Sequence, residues 1–145
     1  MPDGGTVLAF DFGTRRIGVA VGESLTGSAN PLATIDAGDN ATRFARISAL
    51  IGAWQPRLLV VGLPCRADGS ESDMTARCRR FARQLQCRFG LAVHLVDESY
   101  SSAEADRRLA ARGLDWRARK REVDAAAAAI ILQDYFDASP KNLAA

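Results

Sequence analysis

Acidic residues in three separate segments of the chain could share one site. Asp11 interrupts an apolar run near the start, Asp97 and Glu98 end a later apolar run, and Asp124 precedes an alanine-rich stretch. Carboxylates brought together repel one another, and a cation is the usual way to offset that repulsion. Because Mg²⁺ and Mn²⁺ prefer carboxylate and water oxygens, we expect such a cluster to bind Mg²⁺ or Mn²⁺.

This cluster would support hydrolysis of a phosphodiester bond. In a two-metal site one ion activates a water and the other stabilises the leaving oxygen, at a separation of ~3.5–4 Å. That chemistry needs no histidine nucleophile, which suits a chain with one histidine. Each acid also has a structural explanation, since Asp11 could cap a turn before Gly13 and Asp124 could favour a helix N-terminus. Asp11 fits that explanation least, because it interrupts a strand predicted to be buried.

Hydrophobic patterns predict five strands and four helices in the order β-β-β-α-β-α-β-α-α. The strands cover residues 5–12, 16–24, 29–37, 57–64 and 91–99, and the helices cover about 40–54, 74–89, 102–112 and 123–136. This order gives an α/β fold with a mixed five-stranded sheet, in which a three-strand antiparallel meander precedes two parallel strands and helices cover both faces. We expect a single domain over 1–138 and a disordered tail over 139–145.

The predicted topology brings the acids to one edge of the sheet. The first and fifth strands run parallel in it, so Asp11 and the Asp97–Glu98 pair emerge at the same edge, where ligands of such sheets gather. Asp124 is expected in the first turn of the last helix, and it joins them if that helix packs across the edge. The sequence therefore predicts a site made from three distant segments.

A basic loop is predicted directly before Asp124. Its charged residues are Arg117, Arg119, Lys120 and Arg121. A cluster of cations beside acidic metal ligands would draw phosphate groups towards them. The arginines of the second predicted helix are interpreted as a solvated helix face.

The composition narrows the class of protein. With 145 residues, 48% hydrophobic content and a net charge of +2, the chain fits one domain with its own core. No apolar run approaches the ~20 residues of a membrane span, and no signal sequence is evident, so we expect a cytoplasmic protein without a membrane partner. Three cysteines, an odd number, argue against a disulfide framework, and Cys78 is expected to pack in the core.

Four segments resemble, in order and spacing, the motif blocks of the YqgF/RuvX family. They read AFDFGTRRIGVAVGES, LLVVGLPCRADGSES, DESYSSAEA and REVDAAAAAIILQDYFD. The resemblance implies an RNase H-like fold related to the Holliday junction resolvases, and a nuclease that matures the 5′ end of 16S ribosomal RNA. It places Asp11, Glu98 and Asp124 at the acidic positions of the family. It also places Thr14 and Arg16 in the first motif, where they would contact substrate or phosphate.

One block departs from the family pattern and keeps alternatives open. The family usually has Asp-Glu-Arg where this chain has Asp97-Glu98-Ser99, and Ser99 cannot supply the charge of an arginine. The alternatives are a resolvase acting on branched DNA, a non-catalytic RNA-binding factor in ribosome assembly, and a phosphate-binding ATPase-type domain. A resolvase would favour a symmetric dimer because its substrate has two-fold character. We expect a monomer or a weak homodimer.

Overall fold

The computed structural model of the protein describes residues 5–64, 71–98 and 116–138. The elements in chain order are β1 (Thr6–Phe12), β2 (Arg16–Glu23), β3 (Ser28–Asp36), α1 (Asn40–Trp54), β4 (Leu58–Pro64), α2 (Asp73–Phe89), β5 (Ala92–Glu98) and α3 (Trp116–Ala138). All five predicted strands and the first two predicted helices are confirmed, with ends that differ by no more than one residue. The helix predicted near 102–112 and the tail at 139–145 lie outside the described residues.

The strands form one sheet in the order β3-β2-β1-β4-β5. β2 pairs antiparallel with both β1 and β3. β4 pairs parallel with both β1 and β5. The predicted meander followed by two parallel strands is therefore confirmed. Because β1, β4 and β5 run in the same direction, their carboxyl ends at Phe12, Pro64 and Glu98 meet at one edge.

The two faces of the sheet are packed differently. α1 and α2 cover one face through a core of large side chains, among them Phe10 and Phe81, and Cys78 is buried in this core as predicted. α3 covers the other face, where many of the buried side chains are small, such as Ala9 and Ala128. The prediction of helices on both faces is confirmed.

Local signals set the ends of the first two helices. The Asp39 carboxylate accepts the backbone N–H of Thr42 at 2.8 Å and caps α1. Ser72 and Thr75 form a capping box at the start of α2, so Ser72 is the N-cap. α2 ends at Gly90, whose φ of 66° lies in the left-handed region that glycine adopts without strain. These caps can be identified from the sequence, which explains the accuracy of the predicted bounds.

α3 begins earlier than the sequence pattern indicates. A loop was predicted over 117–121 with a helix from about Val123, but the helix starts at Trp116, so the loop prediction is wrong. Residues 117–122 are alanine, arginine, lysine and glutamate, all strong helix formers. Asp124 consequently lies in the third turn of α3, where the helix dipole no longer favours an acid. Among the described residues, no helix is long and apolar enough to cross a membrane.

Candidate active site

β1 carries Asp11 to the face of the sheet that α3 covers. Successive residues of a strand lie on opposite faces, and Phe10 and Phe12 pack towards α1 and α2. Asp11 lies between them and therefore on the α3 face, where it is partly buried. Its antiparallel partner on β2 is Gly18. Asp11 is thus part of the sheet next to a helix interface, and not a residue of the following turn.

Gly18 allows α3 to approach the sheet at Asp124. A Cβ atom on Gly18 would lie 1.8 Å from the carbonyl oxygen of Asp124 and 2.9 Å from the backbone nitrogen of Ala125. No side chain fits in that space, so the backbone of α3 lies directly against β2. Because Gly18 is paired with Asp11, the contact brings Asp124 beside the two strands that present Asp11.

Arg16 forms an ion pair with Asp124 within this interface. Its Nε donates to Asp124 Oδ2 at 2.6 Å, and the two side chains are only 27% and 19% exposed. The neighbouring Arg15 pairs with Asp36 at 3.3 Å, with exposures of 78% and 52%. A charge-assisted hydrogen bond is stronger where water is partly excluded. Arg16 therefore offsets the charge of Asp124 and orients its carboxylate beside β1.

Position 98 shares the α3 face with Asp11. It is the last residue of β5 and pairs with Pro64 of β4. Val60 of β4 packs towards α3, and Pro64, four residues later, falls on the same face. β4 lies between β1 and β5, so the strands of Asp11 and position 98 are about 10 Å apart. Gly62 of β4 contributes no side chain between them.

Two of the three predicted metal ligands are described, and both have suitable chemistry. Carboxylate oxygens are the ligands that Mg²⁺ and Mn²⁺ prefer, and the Arg16 bond engages only one carboxylate oxygen of Asp124. Within the described part of the chain, no group of three His, Cys, Asp or Glu side chains has the arrangement of a metal site. The side chain of Glu98 lies outside that part, as does Ser99. The three-acid site therefore stays a prediction.

Arg43 of α1 holds the turn that follows Asp11. It is only 4% exposed, and its Nε donates to Ala37 O at 2.7 Å. Its Nη2 donates to Gly13 O at 2.9 Å and also to Thr14 O. Burial lowers the pKa of Arg43, and this effect is partly opposed by Asp39. Sequence analysis missed this residue, although its place beside the apolar stripe of α1 was a signal of burial.

The other predicted substrate contacts occupy two places. Thr14 is exposed in the β1–β2 turn. Arg117, Arg119, Lys120 and Arg121 belong to the first turns of α3, before Asp124, and their side chains lie outside the described part. The structure thus brings Asp124 and Arg16 together beside the strand of Asp11.

The comparisons with known proteins agree with the sequence motifs. The family model described as "RuvX: Holliday junction resolvase" matches residues 5–138. The chain belongs to the RuvX family. The chain is 56% identical over 133 residues to "Putative pre-16S rRNA nuclease" from Methylobacillus flagellatus, covering 92% of this chain and 91% of that protein. A protein of the same name from Bordetella petrii is 53% identical and is covered to 97%. The family resemblance inferred from the motifs is confirmed.

Solved structures of RuvC share the fold. Thermus thermophilus RuvC in complex with a Holliday junction substrate superposes with a TM-score of 0.58 at 17% identity, covering 92% of this chain and 94% of that one. A second T. thermophilus RuvC structure gives a TM-score of 0.53 at 14% identity, covering 96% of both chains. This confirms the RNase H-like fold.

Proposed function

We propose that this protein is a divalent-cation-dependent nuclease that processes the 5′ end of precursor 16S rRNA in the cytoplasm. The observation that carries the proposal is the contact between Gly18 and the backbone of α3, which holds Asp124 beside the strand of Asp11. The names of the RuvX relatives support the substrate.

Asp11, Glu98 and Asp124 would hold Mg²⁺ or Mn²⁺ at the carboxyl edge of the sheet. When bound, the cation supplies an activated water and stabilises the charge on the phosphodiester. Asp11 is fixed by strand pairing with β2, and Asp124 by the close approach of α3. Both acids sit on regular elements, which position ligands more accurately than loops do.

Arg16 would have two roles at this site. In the described structure it neutralises Asp124 through Nε. A guanidinium has five N–H donors, so Arg16 can also donate to a phosphate oxygen of the substrate. Arg117, Arg119, Lys120 and Arg121, in the helical turns before Asp124, would attract the nucleic-acid backbone, and Thr14 would contact substrate from the turn.

A cleavage assay tests the proposal with two labelled substrates, a 16S precursor that keeps its 5′ leader and a synthetic four-way DNA junction. Wild type, Asp11→Asn and Asp137→Asn are compared in Mg²⁺, in Mn²⁺ and in EDTA. Asp137→Asn is the matched control, because it removes the same charge from the exposed far end of α3. We expect cleavage of the RNA, its loss in EDTA, and a rate at least about 100-fold lower in Asp11→Asn only.

Other outcomes would assign a different function. Cleavage of the junction alone would support the resolvase that the family description names. Binding of the RNA without cleavage in any metal would support a non-catalytic assembly factor. Equal cleavage by Asp11→Asn and wild type would refute the proposed role of Asp11.

A further inference from the structure

A second polar cavity lies on the opposite side of the β1–β2 turn from Asp124. Its volume is about 260 Å³, and three arginines line it. Arg43 comes from α1, while Arg77 and Arg80 come from α2. The sequence analysis interpreted the α2 arginines as a solvated face. Arg77 and Arg80 are indeed exposed, but they also form one wall of this cavity.

The positive charge of this cationic cavity is not matched by acids in its wall. Arg77 and Arg80 are three residues apart and therefore adjacent on one face of α2. No carboxylate is among the lining residues, and no ion pair within the described segments involves Arg77 or Arg80. The Asp39 carboxylate, near the cavity in sequence, caps α1 through Thr42. The cavity is thus able to bind an anion.

The neutral groups of the cavity suit an oxyanion of the size of a phosphate. Thr14, Asn40 and Gln84 add hydroxyl and amide donors to its wall. Its base is apolar, formed by Phe12 and Phe81, whose ring centroids are 4.7 Å apart. Arginine binds phosphate through paired N–H donors, so three arginines around one volume favour phosphate over a carboxylate of a small metabolite.

Arg43 anchors the cationic cavity rigidly to the turn next to the candidate active site. Its Nε and Nη2 bind backbone carbonyls on both sides of the cavity, and no acceptor among the described residues is bonded to Nη1. Thr14 lines the cavity, and Arg16, two residues later, contacts Asp124. One short turn therefore separates the cationic cavity from the acidic edge.

We propose that the cationic cavity binds a backbone phosphate of the nucleic-acid strand whose scissile bond lies at the acidic edge. The strand would cross the β1–β2 turn, with one phosphate between α1 and α2 and another beside Asp11 and Asp124. The identity of the ligand rests on the proposed function, whereas the anion site itself rests on the geometry of the arginines. Arg77 and Arg80 are the phosphate contacts, and Arg43 positions the turn between the two sites.

RNA binding by the full chain tests this proposal without cleavage. A fluorescein-labelled RNA spanning the 5′ end of the 16S precursor is titrated in EDTA, and its anisotropy gives Kd at several salt concentrations. The test variant is Arg77→Ala/Arg80→Ala. The matched control is Arg46→Ala/Arg83→Ala, which removes the same net charge from exposed positions of α1 and α2 outside the cavity.

We expect the test variant to bind about tenfold more weakly and its slope of log Kd against log salt to fall by about 1, as for one lost phosphate contact. The control should stay within about twofold of wild type. Equal weakening in both double variants would overturn the proposal, because only the overall charge would then matter.

Inorganic phosphate separates a strand phosphate from a free one. At constant ionic strength, about 10 mM phosphate should leave RNA binding by wild type unchanged. If it weakens binding to the level of the test variant, the cavity is a site for free phosphate and the proposal fails. Because all binding is measured in EDTA, active Asp11→Asn would refute the nuclease proposal and leave this result intact.

Discussion

The two faces of the sheet are built from side chains of different size. Towards α1 and α2 the sheet presents branched and aromatic residues, and Phe81 alone contacts Phe10, Phe12 and Phe44. Towards α3 the core includes several alanines, and β2 contributes glycine at position 18. The first face buries large apolar groups, which stabilises the fold. The second allows backbones to touch, and this is the face that carries Asp11.

This difference shows how the fold separates stability from positioning. A helix packed on large side chains can shift by small changes of rotamer, whereas a helix whose backbone touches a strand has one position. The alternation of Gly18, Ala20 and Gly22 with larger residues places the small side chains of β2 on the α3 face. The acids at the edge of the sheet inherit that precision.

The largest effect is expected from a methyl group at the closest approach of α3. In Gly18→Ala the new Cβ would meet the Asp124 carbonyl at 1.8 Å, so the helix must move away from β2. We expect the free energy of unfolding to fall by about 3 kcal/mol. The cleavage rate should fall about 100-fold, because a displacement of about 1 Å misplaces a catalytic group. Urea unfolding and the RNA cleavage assay measure the two effects.

Gly52→Ala is the control for that substitution. Gly52 is exposed within α1, and a Cβ atom there would have no neighbour within 4 Å. Since alanine is the better helix former, this variant should gain about 0.5–1 kcal/mol and keep its activity. Two glycine variants of equal stability would show that α3 is not held by backbone contact.

Loss of Arg43 should affect both faces through the turn that joins them. Arg43→Met removes the donors to the carbonyls of Ala37, Gly13 and Thr14, in a largely buried position. We expect a loss of about 2–3 kcal/mol in urea unfolding, since unsatisfied buried acceptors are costly. Arg46→Met, three residues away and exposed, should change stability by less than about 0.5 kcal/mol. If both variants unfold alike, the turn does not depend on Arg43.

The smallest effects compare the two arginines of the β1–β2 turn. Arg16→Gln breaks a partly buried pair and should cost about 1.5 kcal/mol. Arg15→Gln breaks an exposed pair and should cost less than about 0.5 kcal/mol. The difference should persist in 1 M NaCl, where exposed pairs are screened. A loss that disappears in high salt for both variants would contradict the special environment of Arg16.

Much of the fold follows from patterns within short segments. Strand and helix ends were predicted to within one residue for every element from β1 to β5, because apolar alternation and the Ser72 cap act locally. The start of α3 was not predicted, since a charged segment without apolar periodicity carries little signal of its own. Its helix propensity was the signal available, and it was outweighed by the expectation of a basic loop.

The sequence by itself determined the acids, the strand order and the family, because residue types and their local spacing carry that information. Only the tertiary structure decided that Arg16 pairs with Asp124, 108 positions along the chain. It likewise decided that Arg43 is buried under the turn and that Arg77 and Arg80 share a cavity with it. Such contacts depend on how closely helices pack on the sheet, and that distance is set by the combined side chains of several elements.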